Sequence, residues 1–313
     1  MSLCHLSLAL STCQFKLAPR TNPTPAKPPV NPTPIFYSLR QVADHAFISI
    51  QKLPAFVAGA ARTTIEPVPF TDADFKLAHQ AGYVDDVLSL KRSNGFGTRS
   101  ESINLALTYS NASLWDAARH VLDQGGLACS VSQGFHHASF DSSFGYCTFN
   151  GLVIAARKAL VSGVSKVLII DGDAHYGDGT DSCIEALGLG KRVINITRDH
   201  GIGDAQKGLD VEGWRSFTEA LIHQHKPGLV IYQAGADAWI DDPYGCGYLS
   251  FDEIGWRDLG IFNACLRHQI PAVWNLAGGY TEPMDMTVNI HLQTLRMSDQ
   301  VMMQVAQLGS SEA

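Results

Sequence analysis

Residues 166–179 read KVLIIDGDAHYGDG, an apolar run that leaves directly into Asp171, Asp173 and His175. The run is continuously apolar rather than alternating, the pattern of a strand covered on both faces. In an extended chain residues two apart share a face, so Asp173 and His175 can point the same way. One strand end can then present an oxygen and a nitrogen to a single ion. Taken alone, the DxDxH run serves equally well as a turn with capping carboxylates.

Four further runs of the same kind lie on either side: LACSVS (127–132), RVINIT (192–197), GLVIYQA (228–234) and PAVWNLA (271–277). Helix-like stretches separate them. Ser113 with Asp116 is expected to start a helix that closes at Gly125-Gly126, and Ser250 with Glu253 forms a capping box ahead of Ile254, Leu259, Phe262 and Leu266. This βαβα rhythm predicts an α/β fold with a doubly wound, mostly parallel sheet. No internal repeat or linker composition follows residue 36, so residues 36–313 are expected to form one domain. Residues 1–35 differ: prolines crowd positions 19–34 and no acidic residue precedes Asp44. That composition predicts an extended, disordered leader with a faint likeness to an organelle-targeting peptide.

Four of the predicted strands run into polar clusters: Gln133 to His137, Asp171 to His175, Ala236-Asp237, and Gly278-Gly279-Tyr280. Doubly wound sheets bind ligands at the carboxyl ends of their strands. Asp237 would complete three protein ligands with Asp173 and His175 and leave an open position for water, as catalytic zinc sites do. With three other polar strand ends beside it, the metal site prevails over the decorated turn. His136 and His137 would face opposite ways on a strand but can converge in a loop, where nearby carboxylates would fix their tautomers and separate a base from an acid. Tyr280 follows two glycines that permit close backbone approach, and its phenol can donate to a polarised carbonyl or simply fill the core.

The bulk numbers restrict the remaining classes. At 313 residues and 45% hydrophobic the chain has ample core, and its 17% charged content is too sparse for a coiled coil or a long disordered tail. A net charge of −7 and a pI near 5.9 argue against direct nucleic-acid binding. No apolar run approaches the roughly 20 residues that span a bilayer. The seven cysteines are odd in number and contain no CxxC, which predicts a reducing, cytoplasmic setting rather than a disulfide framework.

In GFHHASFDSSFGYC (134–147), DGDAHYGDG (171–179), QAGADAWIDDP (233–243) and LAGGY (276–280) the chain resembles the histone deacetylase and acetylpolyamine amidohydrolase family. The order and spacing of all four agree, and GFHH and SFGYC look closest to class IV and bacterial deacetylase-like proteins. The resemblance implies a three-layer α/β/α fold of the arginase/deacetylase type. It also implies one catalytic Zn2+ on Asp173, His175 and Asp237, with Asp171 backing His136 and Asp178 backing His137. A buried K+ would lie near Asp171, Asp173 and His175, helped by carbonyls near Thr197 and Arg198. Gly145 and Tyr146 would line the substrate tunnel, Gly145 accepting a substrate N–H; Gly279 would let backbone approach the substrate, and Tyr280 would bind the substrate carbonyl. The second-metal carboxylates of the arginase branch are replaced by Gly177 and Trp239, which favours a single ion. Ala277 stands where many relatives have glycine, a change expected to leave Tyr280 in register.

The resemblance thus implies hydrolysis of an N-acyl amide on a primary amine, with acyl-lysine as the first substrate and acetylpolyamine as the alternative. His137 is expected to be the general base. A non-catalytic acyl-lysine binder would be marked by loss of the tyrosine or a ligand, and neither is lost.

Overall fold

The computed structural model describes residues 32–43 and 47–311. The leader up to residue 31 lies outside the described residues. Residues 32–35, assigned to the leader by composition, belong to the folded unit. Ile35–Phe36 forms strand β1, and the Thr33 N–H donates to Asp299 at 2.9 Å.

The elements that follow are α1 (Lys52–Ala60), α2 (Asp72–Phe75), α3 (Ala81–Leu88), α4 (Glu101–Gln124), β2 (Leu127–Ser130), α5 (Gly151–Val161), β3 (Val167–Asp171) and α6 (Asp178–Ala186). The chain continues through β4 (Val193–Arg198), β5 (Gly201–Ile202), α7 (Val211–His225), β6 (Leu229–Gln233), α8 (Phe251–Arg267), β7 (Ala272–Asn275) and α9 (Asp285–Ser311). The strands form one sheet in the order β1-β2-β7-β6-β3-β4-β5. Every pairing within it is parallel.

Each of the five apolar runs became a strand, and burial on both faces explains their lack of alternation. Val167 and Ile169 of β3, Leu229 and Ile231 of β6, and Val273 of β7 face a core shared with α3, α4, α5 and α6. Leu168, Ile170, Val230, Tyr232 and Trp274 face the opposite core, under α1, α7, α8 and α9. A buried side chain of this size contributes about 1.5–3 kcal/mol. Slipping a strand by one residue would exchange its two faces and misfit both layers.

Helix α8 begins as its sequence predicts: the Ser250 hydroxyl accepts from Glu253 N at 3.2 Å, and Ser250 N donates to the Glu253 carboxylate at 2.7 Å. The expected start of a helix at Ser113 is not observed. Helix α4 starts at Glu101 with Ser100 as its cap, and Ser113 sits in its interior. The reason is local satisfaction. Ser113 Oγ donates back to the Ser110 carbonyl within α4 at 3.0 Å, and Asp116 accepts from Val68 N at 2.8 Å, so neither side chain caps a helix N-terminus. Among the described residues no helix is long and apolar enough to cross a membrane.

Sheet order places the chemistry. Strands β2, β7, β6 and β3 are consecutive neighbours, and they are the four whose carboxyl ends carry the polar clusters. Residues far apart in the chain therefore meet at one edge.

Candidate metal centre and its two histidine–aspartate pairs

Asp173 and His175 leave the end of β3, and Asp237 lies in the short turn after β6. Among the described residues these three form a group able to share one ion, with ligand atoms all within 4.8 Å of one another. His175 Nδ1 lies 3.1 Å from Asp173 Oδ1 and 3.1 Å from Asp237 Oδ2. Its Nε2 donates to the Tyr244 carbonyl at 3.0 Å, which in the neutral imidazole leaves the Nδ1 lone pair aimed at the group's centre. Backbone donors hold the carboxylates: Gly278 N to Asp173 at 3.0 Å and Ala174 N to Asp237 at 3.2 Å. A Cβ at Gly278 would collide with both carboxylates, so glycine is required there.

Both carboxylates are buried. Burial and the Asp173 charge push Asp237 up to about 7. Burial would raise Asp173 as well, but His136 and His175 hold it well below the usual carboxylate range. Hydrogen bonds to the two aspartates raise His175 to about 11. Once His175 gives up its proton, two buried carboxylates and an oriented imidazole nitrogen fit a divalent cation such as zinc. At position 177, a Cβ would lie 2.8 Å from Asp171 Oδ2, so the glycine there leaves no room for a further carboxylate.

The loop after β2 brings the histidines together, with ring centroids 4.1 Å apart. His136 Nδ1 bonds Asp171 at 2.7 Å, and His137 Nδ1 bonds Asp178 at 2.6 Å. Burial opposes protonation of His136, yet the Asp171 and Asp173 carboxylates push it up to about 9. His137 moves the other way: burial and the neighbouring His136 charge lower it, despite the bond to Asp178.

Tyr280 lines one pocket with His136, His137, Asp173, Gly145, Tyr146 and Phe47, whose free volume is about 20 Å³, space for little more than one water. Burial and nearby carboxylates keep the Tyr280 phenol well above its ordinary pKa, so it is a donor at neutral pH. Gly145 has φ +53, and a Cβ there would meet His137 Cδ2 at 2.6 Å. Tyr146 stacks on Phe47 at 3.9 Å between centroids. Gly279 does not line this pocket; its backbone turns at φ +135 and its carbonyl accepts from Ser49 at 3.1 Å. Ala277 takes φ +59, the left-handed region that a glycine adopts freely.

Four residues at the site escaped the sequence assignment. Gln233 donates to Asp171 at 2.9 Å and accepts from Phe135 N at 3.2 Å, linking β6 to the histidine loop. Asp242 accepts from Tyr280 N at 2.8 Å, and Ser49 holds the glycine turn as described. Lys52 is wholly buried in α1 and donates to Ser49 at 3.0 Å and to the Ala277 carbonyl. Burial pulls its pKa down to about 8 against the attraction of Asp237 and Asp173. Gln233 and Asp242 stand inside the quoted motif, Gln233 as the last residue of β6 and Asp242 in the loop that follows. A lysine opening a helix carries no such signal.

A parallel sheet with an Asp-His-Asp group and two histidine–aspartate pairs at its carboxyl edge is the frame of the arginase/deacetylase fold. The family model described as the histone deacetylase domain matches residues 41–196 and 185–297, and the chain belongs to that family. An uncharacterized protein of Picosynechococcus sp. is 31% identical over 181 residues, covering 53% of this chain and 58% of its own. Histone deacetylase 2 of Oryza sativa subsp. japonica is 27% identical over 237 residues, covering 62% of this chain and 46% of its own. The chain thus spans about half the length of these curated relatives. Among solved structures, the HD domain of HDA15 superposes with a TM-score of 0.66 at 19% identity, covering 90% of this chain and 99% of that one. An acetylpolyamine aminohydrolase from Burkholderia pseudomallei gives 0.65 at 18%, covering 87% and 98%. At those identities the superpositions carry the fold.

Proposed function

We propose that this protein is a zinc-dependent amidohydrolase that removes an acyl group from a primary amine, with acyl-lysine as its first substrate. Family membership supports the reaction class. The observation that carries it is one pocket that brings together two aspartate-bonded histidines and a phenol donor, beside a three-ligand cation group.

Asp173, His175 and Asp237 would hold one zinc ion, which when bound lowers the pKa of a water towards about 7 and polarises the amide carbonyl. His137, neutral at pH 7, takes the proton from the attacking water and returns it to the leaving amine nitrogen as the C–N bond breaks. His136, bonded to Asp171 at 2.7 Å, supplies electrostatic stabilisation of the negative charge that develops on the carbonyl oxygen. Tyr280 donates its phenol proton in a hydrogen bond to that oxygen, an interaction worth about 3–4 kcal/mol in comparable sites. Gly145 and Tyr146 form the wall that a linear side chain must pass, while Gly279 shapes the turn that carries Tyr280. Asp171 already receives four protein donors: His136, Gln233, Thr197 and the Asp173 N–H. A potassium ion beside it would be helped by main-chain carbonyls near Thr197 and Arg198.

The same machinery would serve acetylpolyamines. A panel of acetyl-lysine peptides, long-chain acyl-lysine peptides and acetylpolyamines, assayed with and without chelator, separates the substrates. Chelator-sensitive acid release from the lysine peptides is expected. Release from none of the panel would overturn the hydrolase assignment.

A further inference from the structure

Behind the metal group, on the side away from the pocket, stands a guanidinium that the mechanism above does not use. Arg257 of α8 is wholly buried. Its Nη1 donates to the Gly172 carbonyl at 2.8 Å and its Nη2 to the Gly235 carbonyl at 3.2 Å. Gly172 immediately precedes Asp173, and Gly235 lies two residues before Asp237. The two arms of one planar fork therefore hold the two strand ends that carry the carboxylate ligands. Nε is anchored on Asp258 at 2.9 Å, and Asp258 accepts in turn from Thr294 at 2.6 Å and from the Tyr232 hydroxyl. The fork is thus fixed to α8, α9 and β6 together. The fit is close, since a Cβ on Gly172 would lie 3.3 Å from Nη1 and 3.1 Å from the Tyr232 ring.

We infer that Arg257 is a positioning residue that sets the separation of Asp173 and Asp237, and through it the affinity and coordination geometry of the cation they share. The geometry carries this because a guanidinium is flat and rigid. Its two terminal nitrogens keep a constant spacing, which an ammonium or a pair of waters would not impose. The ends of β3 and β6 are also joined by the Gly172 N to Gln233 carbonyl bond at 2.9 Å and the Ala174 N to Asp237 bond at 3.2 Å, and the fork adds a rigid side-chain brace across both. Outer residues that orient metal ligands typically change metal affinity by about 10- to 100-fold when replaced. The inference rests on the metal assignment of the preceding subsection, and its test separates the two.

The full chain, stripped with chelator, is titrated with Zn2+ against a chromophoric competitor and with Co2+, whose visible absorption reports ligand geometry. Arg257→Lys should bind Zn2+ about 10- to 100-fold more weakly and shift the Co2+ bands. Tyr232→Phe disturbs the same buried network but leaves the fork in place, and should retain the parent Kd and spectrum. Where Arg257→Lys does not fold, Asp258→Asn decides. It keeps the arginine's volume while loosening its Nε anchor, and should show a smaller loss of affinity with the same spectral shift. Parent-like Kd and spectra in the folded position 257 or 258 variant would overturn the inference. So would equal losses in Tyr232→Phe, since those would mark general destabilisation. Failure of the unsubstituted chain to bind either ion would overturn the metal assignment itself and this inference with it.

Discussion

The end of β3 and the start of α6 each supply an aspartate to one of two adjacent histidines, through the same ring nitrogen and at nearly the same distance: 2.7 Å for Asp171–His136 and 2.6 Å for Asp178–His137. The outcomes are opposite. His136 is pushed up to about 9, and His137 is lowered. The partner is common to both, so surroundings decide. His136 is enclosed among Asp171, Asp173 and Asp237, whereas Asp178 is half exposed and its charge is screened by water. His136 also repels a second proton from His137. Two imidazoles with like partners are in this way shifted in opposite directions within one dipeptide.

The severest way to break this contrast is to remove the charge on which the buried side depends. Asp237→Ala should leave protein purified without chelator with almost no metal by elemental analysis and no measurable turnover. Full metal content would remove Asp237 from the ligand set. Next, His137→Ala should lower kcat by about 10²- to 10⁴-fold, the usual range for a lost general base. His136→Ala should cost less, because its contribution is electrostatic. A larger loss at His136 would exchange the two roles. Tyr280→Phe should keep the metal and lower kcat by about 10²- to 10³-fold, as for one lost oxyanion donor. Parent-like turnover would remove the phenol from the mechanism.

The mildest test sharpens the contrast directly. A general base works when neutral, so kcat/KM should rise with pH through the His137 pKa, along an acidic limb below the usual imidazole value of about 6.5. The Asp178 bond opposes the downward shift of His137. Asp178→Asn should therefore move the limb to still lower pH, with a modest loss of rate from poorer orientation. A limb that moves up, or one that does not move, would show that Asp178 does not tune His137.

Much of this site was legible along the chain because its information is local. The apolar runs fixed the strands, and the two-residue spacing of Asp173 and His175 fixed a shared direction. The misplaced helix start at Ser113 shows the limit of local signals: a Ser and an Asp announce a cap only if no other group takes their hydrogen bonds, and here Ser110 in the same helix and Val68 far along the chain do so. Strand β1 was missed for a similar reason. Two residues after a proline-rich tract carry no period, and they pair only because the edge of β2 is open to them.

The sequence by itself determined which side chains stand at strand ends, and so which residues were candidates for metal, base and donor. Tertiary structure decided that β2, β7, β6 and β3 are neighbours, which brings four separate strand ends to one edge. It also decided that His136 and His137 titrate apart, and that Lys52 and Arg257 hold the loops from behind. The physical reason is range. Periodicity and spacing act within a strand or a turn, whereas burial and the field of distant carboxylates exist only once the sheet has brought those strands together.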